Sequence, residues 1–170
     1  MGVAFFDPPS NPDQEKAREQ AVKASGALGL NGDPELQALV ESARRDFGTI
    51  MAAVSIIDGD WQYLLAAAGL PGGVYSRRAS ICGHTITRPE RVFCVPDRRN
   101  DPRFADTPGD ADDVSVGFYA GATLLDQNRV ALGALCVFDP TARPMLTRDE
   151  AARLYEYAKS AMAVIRSYQH

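Results

Sequence analysis

No run in the 170-residue sequence approaches the roughly 18 consecutive apolar residues of a membrane span. The opening, Met1-Gly2-Val3-Ala4-Phe5-Phe6, lacks the cationic stretch and long apolar run of a secretory leader. It also lacks the Ser or Thr that a myristoylation signal needs. Histidine occurs twice, tryptophan once and cysteine three times. An odd cysteine count without framework spacing argues against a disulfide scaffold and predicts a reduced, cytoplasmic protein. Basic residues do not dominate either: 18 Lys and Arg stand against 22 Asp and Glu, a net charge of −4. In "RRNDPR" (98–103) an aspartate interrupts the arginines, so the run reads as a solvated loop and no nucleic-acid partner is expected. Internal repeats and low-complexity tracts are absent.

What remains is a chain of 45% hydrophobic and 24% charged residues, suited to one domain with a buried core. Residues 1–12 carry prolines and read as a mobile lead; 13–170 read as a single domain. "DQEKAREQAVKASG" (13–26) predicts a marginal helix ending at Gly26. A clearer helix starts at Asp33, an N-cap, with Pro34 in its first turn and Gly48 at the left-handed C′ position. Leu36, Leu39, Val40, Ala43 and Phe47 give that helix its apolar face.

Two hairpins come next. "MAAVSIID" and "WQYLLAAAG" flank Gly59-Asp60, and "FYAGATLL" (118–125) and "VALGALCVFD" (130–139) flank "DQNR". Gly121 and Gly133 inside these strands predict a bulge or a close backbone approach. "RVFCV" (91–95) reads as a short strand stopped by Pro96, and 96–117 as a long polar loop. The last segment predicts a helix with a Thr147/Glu150 capping box and a core face of Ala151, Leu154, Tyr155, Ala158, Met162 and Ile165. A second row, Tyr157, Ala161, Val164 and Tyr168, reads either as scattered surface or as the seam of a symmetric dimer. Consecutive hairpins with helices at both ends predict an α+β domain: a mostly antiparallel sheet with helices on one face. The segments around 80–90 and 96–117 would cap the other face.

The chemistry concentrates in "ASICGHTITRPERVFCVPD" (79–97), read as a turn over 80–85, then a short helix, then the strand. A metal would need three or four ligands, and Cys82-x-His84 has no matching second pair. Cys94 and Cys136 lie in apolar strands, where a thiol is usually an inert small hydrophobe. In the loop, Asp97, Asp101 and Arg103 can pair as a loop anchor above Phe104. The same residues, with Cys82, His84 and Tyr119, can instead line a cavity with a few polar groups on an apolar wall. Strand alternation puts Phe118 and Ala120 on one face and Tyr119 on the other, without saying which face holds the cavity.

"SICGHTI", "VPDRRNDPRFAD", "FYAGATL" and "ALGALCVFD", in this order, resemble a bacterial signalling subgroup of GAF domains. The resemblance runs from about residue 15 to 160. It implies a GAF-like central antiparallel sheet of five to six strands with N- and C-terminal helices behind it. In front it implies a small-molecule pocket framed by loops and short helices. One departure is Gly117, where the subgroup usually carries an arginine; this argues against an anionic ligand. The signatures of phytochrome-type bilin attachment and of cyclic-nucleotide GAF domains are absent. Free methionine-(R)-sulfoxide reductase, a GAF relative, has a turn resembling Ile81-Cys82-Gly83, but its reactive cysteine lies in a loop that here reads Asp112-Asp113-Val114-Ser115.

The expected protein is therefore a non-enzymatic sensory or regulatory domain. It would bind an unidentified small molecule through some of Cys82, His84, Asp97, Asp101, Arg103, Phe104, Phe118 and Tyr119. No cofactor is assigned. Its terminal helices would form a homodimer and signal to a separate effector such as a histidine kinase or a diguanylate cyclase, since 170 residues leave no room for an output module. The alternatives are a thiol redox enzyme and an unliganded dimerisation module.

Overall fold

The central strands run apolar without alternation because both of their faces are buried. The structure, a computed structural model, describes residues 15–77, 81–104 and 116–168. The lead expected over 1–12 falls outside them. One sheet contains β1 (Met51–Asp58), β2 (Trp61–Ala68), β3 (Gly73–Ser76), β4 (Phe93–Val95), β5 (Phe118–Leu125) and β6 (Ala131–Asp139). The spatial order is β3-β2-β1-β6-β5-β4, and neighbours pair antiparallel throughout.

Both expected hairpins form. Gly59 takes φ 59° in the first turn. In the second, the Asp126 carboxylate accepts from the N–H groups of Asn128 and Val130. Each hairpin holds one bulge. Leu65 is the extra residue between Val54↔Ala66 and Ser55↔Leu64, and its carbonyl accepts from Gly32 N–H at 2.9 Å instead of joining the ladder. Leu132 plays the same part between Leu124↔Gly133 and Leu125↔Ala131.

β3 has no counterpart in the sequence reading. It is a four-residue edge strand of mostly exposed residues, entered through Gly72 and Gly73, and too short for a period to show. The strand expected over 91–95 is confined to Phe93–Val95, on the opposite edge.

Three helices cover one face: α1 (Glu15–Ser25), α2 (Pro34–Phe47) and, after the short α3 (Cys82–Thr85) on the other face, α4 (Arg148–Ser167). The caps match the expectations. Asp33 accepts from Glu35 and Leu36 N–H, Gly48 ends α2 at φ 65°, and Thr147 with Glu150 forms the capping box. Val22, Leu36, Val40, Leu154, Met162 and Ile165 pack there on Val54, Ile56, Phe118, Leu124 and Val137. Arg18 fastens α1 to the sheet, donating to the Ile57 carbonyl at 2.7 Å.

Two expectations are corrected. The second row of α4 is not a continuous exposed seam: Ala161 and Val164 are buried within this chain, whereas Tyr168 is 48% exposed. Tyr157 stacks edge-on against Phe47 and donates to Asp46, and Tyr168 donates to Asp33 at 2.7 Å. Both tyrosines thus bridge α4 to α2 and its N-cap. Of the turn expected over 80–85, Ser80 lies outside the described residues and Cys82–Thr85 form the helix α3; the chain from its end to Arg91 is a series of backbone turns. Among the described residues no helix is long and apolar enough to cross a membrane.

Candidate functional site

Strand parity selects the residues of the front face, the one opposite the three long helices. From β1 come Met51, Ala53 and Ile57; from β2, Leu64; from β5, Tyr119; from β6, Ala134, Cys136 and Phe138. Cys82 and Ile86 from the α3 region, Val95 and Phe104 close over them. Tyr119 faces front and Phe118 faces the helices. Phe118 belongs to the helix-side core, on the face opposite Tyr119, where it lines a separate pocket with Phe47, Thr49, Arg143 and Leu146.

A polar chain is buried within this apolar wall. Tyr119 Oη lies 2.9 Å from Thr85 Oγ1 and donates to Cys82 Sγ at 3.2 Å. Gln62 Nε2 donates to the same sulfur at 3.6 Å. The Cys82 thiol donates to Cys136 Sγ at 3.8 Å, and the Cys136 thiol to the Ala53 carbonyl at 3.6 Å. The phenol fits because position 121 has no side chain: a Cβ on Gly121 would overlap the Tyr119 ring and hydroxyl. Burial pushes the Tyr119 phenol far above its usual range, and Cys82 and Cys136 push the same way. The hydrogen bond with Cys82, then burial, hold the Cys136 thiol well above its ordinary value.

Outside this chain lies an aromatic cluster. The His84 ring stacks on Phe93 at 5.9 Å and meets Phe104 edge-on at 4.9 Å. The Arg103 guanidinium sits 5.0 Å from the Phe93 centroid and 5.4 Å from that of Phe104. Asp101 holds it there, accepting from Arg103 Nε and Nη2 at 3.0 and 2.7 Å. That bond, against some burial, lowers the Asp101 carboxyl below its usual value. Asp97 does not join this pair; it accepts from Asn100 in an exposed turn.

Of the eight residues singled out, the structure therefore gathers Cys82, His84, Asp101, Arg103, Phe104 and Tyr119. It separates Asp97 and Phe118. Sequence reasoning missed Gln62, Thr85 and Cys136. Carrying the β5–β6 register across the turn would have found the last, because Gly121 pairs with Cys136 two steps from Tyr119↔Phe138. Cys94, by contrast, pairs with Ala120 and packs toward the helices.

Gly117 is explained by packing. A Cβ there would overlap the Pro140 carbonyl, and would meet Arg99 Nη1 at 2.9 Å and Ala142 N at 3.0 Å. Its backbone is held from both sides, by Asp139 O and by Arg98 N–H. The guanidinium of Arg99, which donates to Pro140 O, fills the space where the subgroup's arginine would start.

A helix-backed antiparallel sheet with a roofed front face is the GAF fold, and solved structures agree. The GAF domain of a phosphoenolpyruvate-protein phosphotransferase from Coxiella burnetii superposes with a TM-score of 0.64 at 15% identity, covering 89% of this chain and 94% of that one. A type II free methionine-R-sulfoxide reductase from Thermoplasma acidophilum gives a TM-score of 0.64 at 11% identity, over 84% and 96%. In sequence, the chain is 34% identical over 159 residues to a cyclic di-GMP phosphodiesterase of Pseudomonas aeruginosa. That match takes in 94% of this chain and 27% of the relative, so the chain spans about a quarter of the length of the curated protein it resembles. No family model matches the chain.

Proposed function

We propose that this domain is a sensory or regulatory module of bacterial signal transduction that binds a small molecule at the front of its sheet. The observation that carries the reading is the cluster of Cys82, Thr85, Tyr119 and Gln62 beneath His84, Phe104 and Arg103: a few fixed polar groups in an aromatic, largely apolar wall. The curated relative supports the setting. A stretch like this chain accounts for 27% of a cyclic di-GMP phosphodiesterase, which suits a module that governs an output acting on a cyclic dinucleotide. The domain itself performs no turnover in this reading. Pairing of two copies through α4 would use its outer face, with Ala152, Glu156, Lys159 and Ala163 exposed, because the inner row is occupied.

A thermal-shift screen of the purified chain tests this, with cyclic GMP, cyclic AMP, cyclic di-GMP, biliverdin and methionine sulfoxide as probes. A probe at 100 times its Kd stabilises the native state by about 2.7 kcal/mol, a shift of a few degrees. His84→Ala and Arg103→Ala should remove that shift, each measured against its own unliganded midpoint because both side chains also pack on Phe93 and Phe104. A flat response to every probe would favour an unliganded scaffold. Reduction of methionine sulfoxide that disappears in Cys82→Ser would put the thiol-enzyme reading ahead; the absence of cysteine from 105–115 argues against it.

A further inference from the structure

The three cysteines are not equivalent. Cys94 is half-buried on the helix side of an edge strand, whereas Cys82 and Cys136, 54 residues apart in sequence, meet on the front face with their sulfurs 3.8 Å apart. We propose that Cys82 and Cys136 are a modification site, a dithiol that a hydroperoxide converts reversibly to a disulfide pinning α3 to β6. This goes beyond the small-molecule reading and does not depend on it.

The surroundings give the two sulfurs different roles. Cys82 Sγ receives donors from Tyr119 Oη and Gln62 Nε2, hydrogen bonds that stabilise negative charge as it develops on that sulfur. The Cys136 thiol instead donates to a backbone carbonyl, and its partner and burial hold it protonated. Cys82 is thus the attacking group. Its thiolate displaces hydroxide from the peroxide oxygen, giving a sulfenic acid, and the hydroxide takes a proton to become water. Cys136 sulfur then attacks the Cys82 sulfur, its proton leaves with the departing hydroxide as a second water, and the S–S bond forms. Two thiols have been oxidised by two electrons and one hydroperoxide O–O bond reduced; with hydrogen peroxide the products are the disulfide and two waters.

The sulfurs need to close from 3.8 Å to roughly 2.05 Å, a movement within the reach of a one-turn helix. Both thiols are buried, so the peroxide enters when α3 lifts, and the oxidation rate follows that opening.

The test is hydrogen peroxide applied to the folded chain, followed by alkylation of remaining thiols and peptide mapping without reductant. The expected product joins the Cys82 and Cys136 peptides, is lighter by two hydrogens, keeps Cys94 alkylated, and reverts with a dithiol reductant. Cys94→Ser should retain the link, and Cys82→Ser and Cys136→Ser should each abolish it. Tyr119→Phe keeps the ring and removes the donor; it should slow the reaction roughly tenfold. Alkylated Cys82 and Cys136 beside an oxidised Cys94, or a link that appears only in denaturant, would overturn the proposal. Because the map is made on wild-type protein, misfolding of a variant does not obscure the result. Probe binding by Cys136→Ser separates this proposal from the small-molecule reading.

Discussion

At the scale of single residues, three glycines in or beside the strands are fixed by close approach, each for a different reason. A Cβ at Gly133 would run into the Ser55 carbonyl and come within 2.8 Å of Ile56 Cα. Backbone on a central strand cannot yield as a side chain would, so Gly133→Ala should lower stability by about 2–4 kcal/mol, read from a urea midpoint. Gly121 instead leaves room for the Tyr119 phenol; Gly121→Ala should displace that ring and reduce any probe-induced thermal shift more than it reduces stability. Gly117 gives the sharpest contrast between pattern and packing. Gly117→Arg, which restores the subgroup's residue, should destabilise the fold by about 2 kcal/mol or more instead of improving binding, because Pro140 and Arg99 occupy its path. Close approach at Gly133 was legible from an isolated strand glycine. The partners of Gly133 and Gly117 were not, because Ser55, Pro140 and Arg99 come from elsewhere in the chain, whereas Gly121 meets Tyr119 two residues away.

At the scale of elements, α1 is held by a cluster whose charge can be titrated. Glu15 lies between Arg18 and Arg77, and both arginines are nearly inaccessible. Burial opposes ionisation of Glu15, but hydrogen bonds and charge from Arg18 and Arg77 outweigh it and lower the carboxyl from 4.5 to about 2. A depressed carboxylate stabilises the fold fully above its unfolded value and loses that contribution as pH falls from about 4.5 toward 2. Wild type should therefore lose stability across that window, and Glu15→Gln should be less stable at neutral pH with a flatter acid limb; urea midpoints against pH check both. On α4, Val164→Asp buries a charge against α2 and should unfold the domain outright, whereas the exposed Ala163→Asp should leave circular dichroism unchanged. Caps and hairpins were legible because Asp33, Gly48, Thr147 and the Gly59-Asp60 turn act through neighbours in sequence. The tethering of Tyr157 and Tyr168 to α2 was not, since their acceptors Asp46 and Asp33 are 111 and 135 residues away.

At the scale of the whole molecule, one sheet separates two cores of different character. The helix side is mainly aliphatic, with Leu, Val, Ile and Ala packed around Phe118 and Met162. The front is aromatic and sulfur-bearing, with Tyr119, Phe104, Phe138, Cys82 and Cys136. Parity along β5 and β6 announced that two faces existed; only the pairing register said that Cys136 shares one with Tyr119. The single tryptophan stands apart from both cores. Trp61 is 51% exposed at the start of β2, and Gln62, its neighbour along the strand, points to the front. Alternation therefore turns the indole away, toward the open flank near Val74, which is itself 56% exposed. The protein carries a native optical label with a defined field of view. Intrinsic emission should stay constant while a molecule enters the front or a disulfide forms there, and should shift to the blue when another surface comes to rest on the β2–β3 flank.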